Sequence, residues 1–104
     1  MSVQTTYDKG ELRIALNGEI DHHSAKTAMN EISDAIDQKL PRNCVLDLMG
    51  VNFTDSSGIA VLLRTQKKIH ELDGEFSVEN VRAQPSKVFK AANVGIMVAI
   101  KEYK

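Results

Sequence analysis

Cysteine is nearly absent from this chain of 104 residues, where Cys44 is the only one. No intrachain disulfide can form, and no thiolate cluster can hold a metal. Tryptophan is missing and aromatics make up 5% of the residues, so the core has to be aliphatic. Charge of one sign is lacking too. The 13 basic residues stand against 14 acidic ones, for a formal net charge of −1. That balance argues against DNA or RNA as the main partner, because phosphate neutralisation needs a basic excess on one face. No apolar run approaches the roughly 20 residues that span a bilayer. The opening MSVQTTYDKGELRI has neither the cationic flank nor the apolar stretch of a signal peptide. These absences lead us to expect a soluble cytoplasmic protein that uses no membrane.

Apolar residues amount to 42% of the chain, which suits a globular domain rather than a disordered one. The length allows one core and not two, so a single domain over residues 1–104 is expected. VQTTYD reads as an edge strand with Val3, Thr5 and Tyr7 on one face. Lys9 and Gly10 make a turn, after which Leu12, Ile14 and Leu16 alternate with Glu11, Arg13 and Ala15. That is a hairpin with one buried face. NGEIDHHS follows as a loop, and a helix is predicted from Ser24, as cap, to about Gln38. Ala25, Ala28, Met29, Ile32, Ala35 and Ile36 form its apolar stripe, and Pro41 ends it.

NCVLDLMG reads as a central strand mostly buried on both sides. A second helix begins near Ser56 with Ile59, Leu62, Leu63 and Ile69 inward, and Asp73-Gly74 stops it. EFSVENV alternates as a strand. Pro85 reads as a first-turn proline of a third helix with Val88, Phe89 and Ala92 as its inner face, Gly95 closes that helix, and IMVAIKEY supplies the last strand. The predicted order is β-β-α-β-α-β-α-β. It implies an α/β fold with a mixed, mostly parallel sheet, an antiparallel N-terminal hairpin and helices joining the strands.

Most enzyme signals are excluded by spacing. The glycines at 10, 18, 50, 58, 74 and 95 build neither a dinucleotide fingerprint nor a phosphate-binding Walker loop. A nucleophile elbow needs glycine two residues before the serine, where Thr54 and Asp55 stand instead. His22, His23 and His70 do not have the spacing of metal ligands, and adjacent His22 and His23 read as loop residues. The carboxylate pairs Asp34/Asp37 and Glu71/Asp73 read as solvated helix faces. Cys44 reads as a small buried residue. Neither a metal nor a cofactor is expected, and the protein is not expected to be an enzyme.

One turn asks for more. In VNFTDSSGIAVLLR, Thr54, Asp55, Ser56 and Ser57 crowd the mouth of a helix where one cap would suffice. Gly58 in its first turn costs about 1 kcal/mol relative to alanine, a cost that close approach of a partner to the backbone would explain. The turn follows the carboxyl end of a central strand, where open α/β sheets offer their binding crevice. Asp55 and Ser56 can both cap the helix. On a helical wheel Ser57 points further than Ser56 from the Ile59/Leu63 stripe, so periodicity favours Ser57 as the exposed hydroxyl.

The segment NFTDSSGIAVLL resembles the signature of STAS-domain anti-sigma factor antagonists, small bacterial anti-anti-sigma factors. LNGEIDHHSA (Leu16 to Ala25) is similar to the segment that follows their second strand, and the predicted element order matches their fold over nearly the whole chain. The resemblance implies a phosphorylation switch with Ser56 as phosphoacceptor. It implies as partner an anti-sigma factor with serine kinase activity and a histidine-kinase-type ATP fold. Only the unphosphorylated antagonist would bind that partner and so free the sigma factor; a metal-dependent serine phosphatase would restore it. Asp21 matches the aspartate of the family's upstream segment and is expected to bind the partner or position the serine hydroxyl. Thr54, Asp55, Ser57, Gly58 and Ile59 are expected partner contacts by location. Many relatives continue into a further helix, whereas Lys104 follows the last strand directly.

Two other readings compete. One is a STAS scaffold or adaptor in a stress-sensing or transporter-associated complex. The other is a small hydrolase using Ser56 or Ser57, which the missing base and oxyanion motif disfavour.

Overall fold

In the computed structural model, which describes residues 1–104, the hairpin comes first. Strand β1 (Ser2–Asp8) pairs antiparallel with β2 (Glu11–Asn17). Lys9 and Gly10 join them, both at positive φ (49° and 86°), the twist that a two-residue hairpin loop demands. Helix α1 (His22–Lys39) leads to β3 (Asn43–Gly50), α2 (Ser57–Glu71) to β4 (Glu75–Val81), and α3 (Ala83–Ala91) to β5 (Ala99–Glu102). The five strands lie in chain order, β1-β2-β3-β4-β5, with every pair after the first parallel.

That order has a consequence for the layers. Parallel crossovers are right-handed almost without exception, and all three here step in the same direction, so the helices collect on one face of the sheet. Beneath them the register aligns Leu12 with Cys44 and Phe76, and Ile14 with Leu46 and Val78. These residues belong to a core cluster of 21 buried residues that also holds Ile32, Ile36, Leu62, Ile69 and Phe89. Burying one such aliphatic side chain contributes about 1.5–3 kcal/mol. Cys44 sits at 1% exposure within it, and burial pushes its thiol up to about 12.

The second face carries no helix, so the burial on both sides expected of β3 holds along the helix face and, on the other face, at Val45, while Asp47 is half-buried and Met49 exposed. β3 is central, but its outer face is roofed only by side chains of neighbouring strands. Val45 lies in register beside Arg13 and Ser77, and the Arg13 guanidinium reaches across β3 to Asp47 (3.2 Å) and Glu79 (3.0 Å). Its long aliphatic stem is suited to cover Val45, which is 6% exposed. Burial works against the ionised Asp47. Hydrogen bonds from the Met49 amide, Asn80 and Arg13 outweigh it and hold that carboxyl below the usual range.

Several element ends differ from the sequence expectations, each for a local reason. Helix α1 starts at His22, so His22 and His23 belong to its first turn and not to a loop. Ser24 is the third helical residue and not the cap, a role that Asp21 fills. On α2 the buried face is Gly58, Val61, Leu62, Thr65 and Ile69, while Ile59 and Leu63 are half-buried. The period was read from apolar residues alone, and Thr65 is buried with its hydroxyl donating to the Val61 carbonyl at 2.7 Å. Helix α3 buries Pro85, Ser86 and Phe89, and Ala92 lies beyond it, exposed. Asn93, left-handed at φ 55°, follows the end of α3 in place of Gly95, which falls inside a short 3-10 turn over Val94–Ile96. That turn takes Ile96, with Met97 as its cap, so the last strand begins only at Ala99.

Candidate functional site

The stretch between β3 and α2 is held in an extended form from both sides. On one side the Ile20 amide donates to the Phe53 carbonyl and the Asp55 amide donates to the Ile20 carbonyl, both at 3.0 Å. On the other side the Gln84 side chain reproduces a strand partner. Its Oε1 accepts from the Thr54 amide at 2.9 Å, and its Nε2 donates to the Thr54 carbonyl at 3.0 Å. Every backbone polar group of Thr54 is thereby satisfied, as burial requires. Thr54 is 0% exposed, and its hydroxyl donates to the Asp55 carbonyl at 2.9 Å.

The next four residues start the helix. Asp55 Oδ1 accepts from the Ser57 amide at 2.7 Å, the Asp55 carbonyl from the Gly58 amide at 3.1 Å, and the Ser56 carbonyl from the Ile59 amide at 3.1 Å. The first amides of a helix have no partner within it, and here Asp55 supplies two of the acceptors. Ser56 already has helical φ and ψ (−62°, −16°) and its side chain makes no capping hydrogen bond. Asp55 therefore closes the helix, and the Ser56 hydroxyl stands exposed with no structural duty.

The site residues named from sequence separate accordingly. Ser57 is half-buried, one turn before Val61 on the inward side, so the preference of periodicity for Ser57 as the exposed hydroxyl is overturned. The Ile59/Leu63 stripe lies to one side of the buried face, which is centred nearer Val61 and Thr65. Gly58 is buried, and a Cβ added there would run into Thr54 Oγ1. Its missing side chain makes room for Thr54, a reason inside the protein that the sequence did not suggest. Thr54 and Gly58 thus shape the turn from below and present no side chain at the surface. Asp55 and Ile59 are half-buried beside Ser56.

Asp21 lies at the same end of the sheet, next to the Ile20 backbone that pairs with this turn. Its carboxylate is spent on α1, accepting from the Ser24 amide at 2.7 Å while the Ser24 hydroxyl accepts from the Asp21 amide at 2.9 Å. This reciprocal cap makes no hydrogen bond to Ser56. The bond from the Ser24 amide, above all, holds the Asp21 carboxyl below its usual range. A group whose pKa is depressed by folding contributes stability above its unfolded pKa and loses it as pH falls through the folded value. We expect Asp21→Ala to lower the thermal midpoint at neutral pH. The gap from the parent should hold down to about pH 4, the ordinary aspartate range, and shrink below it. Circular dichroism melts from neutral to acid pH check this.

Two contributors escaped the sequence reading. Gln84 clamps Thr54 from 30 residues away, and nothing local to Gln84 signals a bond of that range. Phe53 is 42% exposed, an aromatic on the surface beside the turn; one of only three phenylalanines in an aromatic-poor chain offered a compositional hint. No group of three or more His, Cys, Asp or Glu side chains is placed to hold a metal ion. No helix is long and apolar enough to cross a membrane.

Comparison with known proteins agrees with this fold. The family model described as the STAS domain matches residues 2–102. The anti-sigma F factor antagonist of Paenibacillus polymyxa is 32% identical over 81 residues, which cover 78% of this chain and 69% of that protein. The solved structure of the anti-sigma factor antagonist SpoIIAA in its unphosphorylated form is similar with a TM-score of 0.80 at 25% identity, covering 95% of this chain and 87% of that one. The Bacillus cell fate determinant SpoIIAA in the phosphorylated form is similar with a TM-score of 0.71 at 25% identity, covering 95% of this chain and 90% of that one.

Proposed function

This chain belongs to the STAS-domain family, and from that premise we propose that it is an anti-sigma factor antagonist switched off by phosphate on Ser56. The observation that carries the assignment is the exposed Ser56 hydroxyl, free of any capping bond at the start of α2. Its relative from Paenibacillus polymyxa is an anti-sigma F factor antagonist, and SpoIIAA has been solved with and without phosphate. The partner is an anti-sigma factor that is also the serine kinase. Ser56 Oγ attacks the γ-phosphorus of ATP, the bond to the ADP oxygen breaks, and the hydroxyl proton passes to a base of the kinase. A metal-dependent serine phosphatase reverses the step by hydrolysis. This chain is the substrate and the binding partner, and it supplies no catalytic group.

The surroundings of Ser56 favour a switch that acts on docking and leaves the fold alone. Phosphate adds a charge of about −1.5 to −2. The helix N-terminus favours that charge by about 0.3–1 kcal/mol. The Asp55 carboxylate next to it opposes by about 1–2 kcal/mol at water-like dielectric and roughly 5 Å separation. The amides of Ser57, Gly58 and Ile59 are already taken by Asp55 and Ser56, so the phosphate has no ready backbone donor to capture. At an interface the same dianion would have to be stripped of water without a partner, which costs several kcal/mol.

Gel filtration of a sigma factor bound to its anti-sigma kinase tests the proposal. The unphosphorylated protein should release free sigma factor, and the protein preincubated with kinase and ATP should not. Failure to displace sigma factor from any such kinase would overturn the assignment.

A further inference from the structure

A groove of about 480 Å³ runs between the first halves of α1 and α2, starting beside the phosphoacceptor turn. Its floor is apolar, with Ala25, Met29 and Val61 buried. Its rim is cationic: Lys26 on α1 and Arg64 on α2, both exposed, with the His22 imidazole at the α1 end. No lining residue is acidic. The four ion pairs of the protein use Arg13, Lys68 and Lys90, and none involves Lys26 or Arg64. In a chain with 14 acidic residues, two exposed cations on facing helices, without a carboxylate partner and flanking an apolar floor, are complementary to a segment of opposite charge. Ser57, next to Ser56, lines the same groove.

We propose that this groove receives an acidic segment of the anti-sigma partner, with an apolar side chain on the Met29/Val61 floor and carboxylates meeting Lys26 and Arg64. The inference rests on the assignment above and deepens it, because it gives the phosphate a target. A dianion on Ser56 at the edge of the groove cancels the positive field that draws the acidic segment in, and it repels the carboxylates once they arrive. Rim charges act chiefly on association rate and on salt dependence.

The test measures binding of the purified anti-sigma kinase to four forms of this protein: parent, Ser56→Asp, the double variant K26E/R64E, and the charge-preserving K26R/R64K. Circular dichroism melts confirm that each is folded. K26E/R64E should bind roughly tenfold or more weaker than the parent at about 50 mM salt, mainly through slower association, and the gap should close towards about 500 mM. K26R/R64K should match the parent. Parent-like binding by K26E/R64E while Ser56→Asp fails to bind would overturn the groove and leave the assignment standing. Equal loss in K26E/R64E and K26R/R64K would show that shape and not charge is read, and would overturn it too. No binding by the parent would remove both.

Discussion

Replacing Ser56 by aspartate should weaken the complex with the anti-sigma kinase at least about a hundredfold, or roughly 2.7 kcal/mol, while the fold stays intact. Ser56 is exposed and makes no capping bond. A surface change of this kind stays within about 0.5 kcal/mol of the parent, roughly 2–4 °C in the thermal midpoint of a domain this size. The loss arises only on docking, where a carboxylate beside Asp55 loses its water and faces the acidic segment proposed for the neighbouring groove. Truncated or unpaired charges at such positions cost about 2–5 kcal/mol. Isothermal titration calorimetry beside a melting curve separates the two effects. Parent-like affinity would contradict blocked docking. A large fall in the midpoint would mean that Ser56 serves the helix start after all.

Gly58→Ala should destabilise the protein by about 2 kcal/mol, against the usual rule for helices. Alanine in place of glycine ordinarily contributes about 1 kcal/mol in favour of a helix. At this position the new Cβ meets the buried Thr54 side chain, Oγ1 first and then Cβ at 3.2 Å and Cγ2 at 3.4 Å. Thr54 is short, buried, bonded through its hydroxyl to the Asp55 carbonyl and clamped by Gln84, so it has nowhere to swing. Overpacking of this sort costs about 1–3 kcal/mol, and disturbing the Thr54 hydroxyl bond adds about 1 kcal/mol. Urea unfolding measures the change.

The double variant Thr54→Ala/Gly58→Ala makes the cause visible. Removing Oγ1 and Cγ2 leaves only the Thr54 Cβ, at 3.2 Å, close to the new Cβ, so Gly58→Ala should cost far less in the Thr54→Ala background. The coupling between the two positions should be about 1–2 kcal/mol, within the range of residues in contact. A more stable Gly58→Ala single variant would mean that the glycine is reserved for something outside the protein.

These variants also mark where the sequence was legible. Alternation at Leu12, Ile14 and Leu16 and the apolar run of β3 announced the strands, because each side chain points to a face that has to be covered. The order of the elements followed from them. The one-sided stacking of the helices depends on the strand order, which no local pattern contains. The α2 stripe was misplaced by a fraction of a turn because Thr65 buries a hydroxyl that its own helix satisfies. That offset is enough to exchange Ser56 and Ser57 as the more exposed serine. Gly58 was singled out correctly as a glycine that needs a reason, but the reason lies in Thr54, four residues earlier and underneath it. Asp55 as a cap was legible from its type, and the Gln84 clamp was not, since the two ends of that bond are far apart in the chain.

The central claim is that the unengaged hydroxyl at the mouth of α2 is the one that takes phosphate. Incubation of the protein with its anti-sigma kinase and ATP, followed by mass spectrometric mapping of the modified residue, tests it most directly. A single phosphate on Ser56, absent from a Ser56→Ala variant, is the result predicted. Phosphate on Ser57, or none on either serine while the kinase is active, would contradict it.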